Sequence, residues 1–131
     1  MHITRQRPDT QQGPAENFNG TVWMDVVAAP EPPSRLRMFN VHFAPGAHTA
    51  WHRHPHGQVL HVLEGEGLVQ RRGGEVEEIR AGDTVSIEPD EWHWHGAAPR
   101  TFMTHLAVVE AAEDGTTIEW HEHAHVPEYP C

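Results

Sequence analysis

Thirteen of the 131 residues are histidine, so the arrangement of the imidazoles carries more information than their number. His52 and His54 stand at i and i+2 in GAHTAWHRHPHGQVLHVLEG, residues 46–65. In an extended strand alternate side chains share a face, so both rings point one way. Pro55 to Gly57 read as a turn that brings Gln58 back beside them, with Gly46 and Gly65 punctuating the outer ends. A fourth donor is expected from elsewhere, and His93 in PDEWHWHG is the best candidate. Three neutral imidazoles and one neutral carboxamide form a mixed N/O set that suits Mn, Fe, Ni or Zn better than Ca or Mg. Such a set leaves the full charge of a divalent ion available to polarise a bound hydroxyl or carbonyl oxygen. The competing reading is a turn whose histidines are solvated or satisfied in the core, because His-x-His also occurs at His93/His95 and at His121, His123 and His125.

The elements that must hold these residues read as short strands. Gly20 to Val27 alternates Val22, Met24 and Val26 against Thr21, Trp23 and Asp25, a strand pattern. Pro30, Pro32 and Pro33 then enforce an irregular loop. Arg35 to Phe43 sets Phe39, Val41 and Phe43 opposite Leu36, Met38, Asn40 and His42, as expected of a barrel whose interior is a pocket. After the hairpin, strands are expected at Gln58–Leu63, Leu68–Arg72, Glu75–Arg80 and Thr84–Ile87. Gly73-Gly74 reads as a primed turn, and Glu64 to Gly67 as a break. Thr101 to Val109 carries Thr101, Met103, His105, Ala107 and Val109 on one face, and Thr116 to Trp120 is a candidate edge strand. Eight to ten short strands at turn spacing, with no helix-period segment of useful length, predict an all-β jelly-roll barrel as a single domain. The expected divisions are an irregular arm at 1–19, the barrel at 20–121 and a tail at 122–131.

The framing of the first His pair is specific. Gly46, His52, His54, Gln58 and Gly65 keep the spacing of the first cupin metal motif, G-x5-H-x-H-x3,4-E-x6-G, with Gln58 in place of Glu. Gly82 and His93 keep the second, G-x5-P-x-G-x2-H-x3-N. There Pro89 is displaced by one, Asp90 stands for the glycine and Ala97 for the terminal Asn. Asp tolerates the left-handed turn geometry this position requires. The stretches TAWHRHPHGQ, 49–58, and HWHGAAPRTFMTHLA, 93–107, further resemble the small bacterial cupins that act as manganese-dependent hydroxynitrile lyases. The resemblance runs from about Gly20 to Glu110. It implies the cupin double-stranded β-helix, manganese held by His52, His54, Gln58 and His93, and a pocket containing Thr49, His95 and His105. The implied reaction cleaves a cyanohydrin into an aldehyde or ketone and cyanide. Substituting Gln for the anionic Glu favours non-redox chemistry over a mononuclear Fe/Mn dioxygenase, the principal alternative.

Cyanohydrin cleavage needs a base for the hydroxyl and an acid for cyanide, and imidazole serves both near neutrality. His105 and His95 are the candidates, with Thr49 as a donor toward the nitrile. The competing roles are a buried structural histidine for His105, an orienting hydrogen bond for His95 and a turn cap for Thr49. His56 falls in the turn and His61 has the wrong strand parity. Trp51, Trp92 and Trp94 read as packing on the outer face.

At 131 residues the chain suffices for one core. A net charge of −10 with nine basic residues and no basic run argues against nucleic acid or an anionic membrane as partner. Cys131 is the single cysteine, no secretory h-region precedes the barrel, and no apolar run approaches membrane-spanning length. The expectation is a cytoplasmic enzyme of a small-molecule substrate, assembled as a homodimer or homotetramer.

Overall fold

The computed structural model describes residues 1–125, and the remainder of the expected tail, including Cys131, lies outside the described residues. Among the described residues there are twelve strands and no helix: β1 Gln11–Gln12, β2 Phe18–Asn19, β3 Val22–Ala28, β4 Leu36–Phe43, β5 His48–Thr49, β6 His52–Arg53, β7 Gln58–Arg71, β8 Glu77–Arg80, β9 Thr84–Ile87, β10 His93–Ala97, β11 Met103–Glu110 and β12 Glu119–Trp120. Among these residues no helix is long and apolar enough to cross a membrane.

The strands make two curled layers that share β7. One layer runs β1-β3-β4-β11-β7-β9, all antiparallel. The other joins β8, β7 and β10, continues from β10 to β5 and β2, and on a second branch to β6 and β12. The apolar alternation predicted for β4 and β11 is present: Val41, Phe43, Met103, His105, Ala107 and Val109 are buried, while Thr104, Leu106 and Val108 are not. Of these, Val41, Phe43, Met103 and Ala107 meet Val22, Leu60, Val62 and Ile87 in one core between the layers.

The structure corrects the predicted break at Glu64–Gly67. β7 runs through it as a single 14-residue strand, pairing with β11 up to Gly65 and with β10 from Gly67. A hydrophilic EGEG segment reads as a loop, but here glycine supplies a bend. Gly65 has φ +80°, and a Cβ at that position would lie 1.7 Å from the carbonyl oxygen of Phe102. Only glycine lets the strand turn from one layer into the other at such close approach.

The Gly73-Gly74 turn also differs. The Gly74 N–H closes on the Arg71 carbonyl at 2.9 Å, only Gly73 of the two central residues has positive φ, and β8 starts later, at Glu77. Asp90 does adopt the left-handed conformation, φ 59°.

The N-terminal arm is mostly irregular, but β1 and β2 attach it to the sheets, and Phe18 is buried in the core. Asp25, on the same side of β3 as the exposed Trp23, is buried because the arm covers it. Thr10 donates to its carboxylate, His42 Nε2 lies 3.0 Å from Oδ2, and Arg7 approaches to 4.0 Å. Those hydrogen bonds, from Thr10 first and then His42, hold the carboxyl below its ordinary pKa.

Candidate metal centre

Two neighbouring strands of one layer bring the histidines together. β6 and β10 pair antiparallel with His93 opposite His52, so the two rings meet across the ladder, their centroids 4.2 Å apart. The turn after β6 carries His54, whose ring lies 5.0 Å from that of His52 and 5.3 Å from that of His93. Gln58 opens β7 just past Gly57, whose φ of +80° and closeness to the Ile87 carbonyl leave no room for a side chain. Its Oε1 reaches within 3.3 Å of His93 Nε2. The four residues expected to converge therefore do so, and all four are buried.

The hydrogen bonds of the three rings fix which nitrogen faces inward. His52 Nδ1 donates to the Ala50 carbonyl, His54 Nδ1 to the Thr117 carbonyl and His93 Nδ1 to the Glu91 carbonyl, each at 2.8 Å. A carbonyl only accepts, so each Nδ1 carries the hydrogen and each Nε2 presents a lone pair. His54 Nε2 is buried with no hydrogen-bond partner among the described residues. His93 Nε2 faces Gln58 Oε1, so two acceptors point at the same small volume. Burial first, and neighbouring imidazoles next, push His52 well below the ordinary histidine value. Burial lowers His54 and brings His93 down to about 4. These rings are neutral near pH 7, and a cluster of inward lone pairs without protons is suited to a cation.

Among the described residues, the imidazole nitrogens of His52, His93 and His95 lie within 4.8 Å of one another, tight enough to hold one metal ion. His95 thus stands closer to the cluster than strand spacing alone indicates, since its ring stacks on that of His93 at 5.6 Å. Its Nδ1 is engaged with His105 Nε2 at 3.1 Å, while His95 Nε2 and His105 Nδ1 are buried without partners among the described residues. Burial is the leading cause that pushes His95 well below its ordinary value and His105 to about 4. The Thr49 hydroxyl oxygen accepts the His95 backbone N–H at 3.2 Å, which leaves its own O–H able to donate elsewhere.

All of these residues except His93 line one cavity of about 260 Å³ inside the barrel. Phe39 and Val109 belong to its wall, as expected for the inward faces of β4 and β11, together with Met24, Val41 and Ala107. Among the described residues the wall contains no lysine, arginine, aspartate or glutamate. Arg37 instead bonds to the Leu36 carbonyl, and Arg100 lies on a separate surface groove. His61 points away and bonds Thr84, and His56 is exposed. Trp94 is fully buried on the far side of its strand, against Leu68 and Ala124, which is the outer-face packing expected of it. The sequence reading missed the wall residues from the chain ends: Phe18 from the arm, and Thr117, Ile118 and Trp120 from the segment after β11. An aromatic in an otherwise polar arm was the available signal for Phe18. No sequence signal marks the Thr117 carbonyl as a partner of His54.

The Cupin domain family (Cupin_2) matches residues 39–109, which include every metal-motif position. The chain belongs to the cupin family, with the all-β barrel that family adopts. It is 50% identical over 118 residues, 90% of this chain and 89% of the relative, to an (R)-mandelonitrile lyase of Granulicella tundricola. A cupin-like protein of Thermotoga maritima superposes with a TM-score of 0.81 at 33% identity, covering 93% of this chain and 90% of that one. A polyketide cyclase of Streptomyces resistomycificus, 18% identical, shares the fold with a TM-score of 0.73, covering 99% of this chain and 90% of its own.

Proposed function

We propose that the protein is a metal-dependent hydroxynitrile lyase, cleaving and forming cyanohydrins such as mandelonitrile, with manganese held by His52, His54, Gln58 and His93. The observation that carries this reading is the joint placement of inward acceptors and an imidazole pair on one uncharged cavity. The 50% identity to a protein named (R)-mandelonitrile lyase supports the same class. His54 is preferred over His95 as a ligand because its Nδ1 is locked by a carbonyl, as in His52 and His93, whereas the second nitrogen of His95 is committed to His105. When bound, a divalent ion supplies Lewis-acid polarisation of the substrate oxygen.

The remaining work falls to the chain. His105 Nδ1, buried and unpartnered, accepts the hydroxyl proton of the cyanohydrin. The carbon–carbon bond then breaks, its electron pair leaves with cyanide, and an oxygen lone pair closes the new carbonyl. The His105 Nε2 to His95 Nδ1 hydrogen bond passes a proton along, and His95 Nε2 delivers one to cyanide, so that hydrogen cyanide leaves as a neutral molecule. Burial keeps both rings neutral between turnovers, so His105 enters each cycle as a free base. The Thr49 hydroxyl hydrogen-bonds the nitrile nitrogen, and the apolar wall excludes water. A carboxylate-bearing sugar acid finds no cationic anchor among the described residues of this wall.

The test is elemental analysis of the purified protein alongside aldehyde release from mandelonitrile, before and after chelation and with metal restored. The reading expects stoichiometric metal, loss of turnover on chelation and recovery with Mn²⁺. Turnover that survives complete metal removal rejects it.

A further inference from the structure

The three inward-facing rings are not oriented by the same kind of partner. His52 and His93 bond carbonyls two residues back along the chain, those of Ala50 and Glu91 just before their strands, so the local chain suffices to aim them. His54 depends on Thr117, 63 residues further along. The segment bearing Thr117 lies along the open edge of β6. Glu119 and Trp120 of β12 pair with Arg53 and His52, the His121 N–H bonds the Trp51 carbonyl at 2.8 Å, and the Trp51 N–H bonds the Glu122 carbonyl at 3.0 Å.

Outside the barrel, a row of side chains fastens the same segment. Glu119 pairs with Arg53 and Glu122 with Arg72. Arg53 lies over Trp92 at 4.6 Å, and Arg72 over Trp51 at 4.7 Å and Trp92 at 5.5 Å, so both cations are shared between a carboxylate and an indole. Inside, the segment gives the cavity Thr117, Ile118 and Trp120, and the Trp120 ring packs 4.9 Å from that of His52.

We propose that residues 116–122 are a strap whose docking makes His54 competent as a metal donor, with Thr117 a positioning residue acting through its backbone carbonyl and the Arg53 and Arg72 ion pairs as its fastenings. The proposal rests on the reading above only for the place of His54 in the donor set. While the strap is docked, the carbonyl keeps the hydrogen on Nδ1 and the lone pair of Nε2 turned inward. When it lifts, His54 loses that constraint while His52 and His93 keep theirs.

The fastening carboxylates are exposed and lie outside the cavity, so Glu119→Gln/Glu122→Gln loosens the strap without altering a donor. The first readout is ¹⁵N NMR of the imidazoles in metal-free protein. Wild type is expected to show His54 as the Nδ1–H form. The double variant is expected to show a tautomer mixture at His54 alone. The second readout is Mn²⁺ affinity in a cycle with His54→Ala. Losing an orienting partner costs roughly tenfold or more in affinity. The strap variant should therefore bind about tenfold more weakly in the wild-type background and almost unchanged in the His54→Ala background. An equal loss in both backgrounds, or a His54 signal unaffected by the variant, overturns the proposal. Wild type that binds no metal sinks the ligand set above instead, and the NMR comparison still decides the strap.

Discussion

Gln58 sets the character of the candidate centre, because it is the one donor where the family motif has an anion. A neutral amide leaves a divalent ion with its full charge toward substrate, which favours stabilising an oxyanion over supporting a higher oxidation state. Gln58→Glu should tighten metal binding and slow aldehyde release, so affinity and rate move in opposite directions. Parallel changes in the two would contradict that role. His52→Ala or His93→Ala should lose most bound metal, since each removes one of the inward Nε2 donors. Metal content equal to wild type in either variant rejects this ligand set. Much of this was legible because the spacing of Gly46, His52, His54, Gln58 and Gly65 is local to one hairpin. What was not legible is non-local. The stacking of His95 on His93, the His95–His105 bond and the Thr117 carbonyl depend on how β10, β11 and the strap meet in space.

At the scale of elements, β7 joins the two layers, and its bend rests on Gly65. Gly65→Ala would place a methyl group 1.7 Å from the Phe102 carbonyl oxygen at a φ that alanine avoids. A loss of roughly 3 kcal/mol or more in unfolding free energy is expected. Asp90→Gly, at φ 59°, should change stability by less than about 1 kcal/mol, because Asp already tolerates that conformation. Urea unfolding of the two variants checks the contrast, and similar losses in both would contradict it. The strands with apolar alternation, β3, β4 and β11, were legible from period-2 patterning. β1 and β2 were not, because two-residue pairings leave no periodicity in a polar arm. Nor was the burial of Asp25, whose cover of Thr10 and Arg7 comes from that same arm.

For the molecule as a whole, the buried imidazoles link stability to pH. His52, His54, His93, His95 and His105 are all held below the ordinary value of 6.5, His93 and His105 at about 4. Below about pH 6.5 the unfolded chain takes up protons that the folded site refuses, so unfolding becomes easier as pH falls. Metal-free protein should keep an even denaturation midpoint above about pH 6.5 and lose stability steadily from there toward about pH 4. A midpoint unchanged across that interval contradicts neutral buried rings.

The outer face of the β3-β4-β11-β7 layer exposes Trp23, Val59 and Leu63, which fits burial against a second copy of the chain. Light scattering at micromolar concentration should give a dimer or tetramer mass. A monomer mass contradicts that assembly.

The central claim is that one uncharged cavity couples a metal centre to a histidine proton shuttle for cyanohydrin cleavage without oxygen. The most direct measurement is the initial rate of benzaldehyde release from mandelonitrile under air and under argon, with metal content determined on the same samples of wild type and His105→Ala. The account predicts equal wild-type rates in both atmospheres, and a His105→Ala protein that keeps its metal while turning over about 10² to 10⁴ times more slowly. A wild-type protein that releases no aldehyde, or does so only in air, contradicts it.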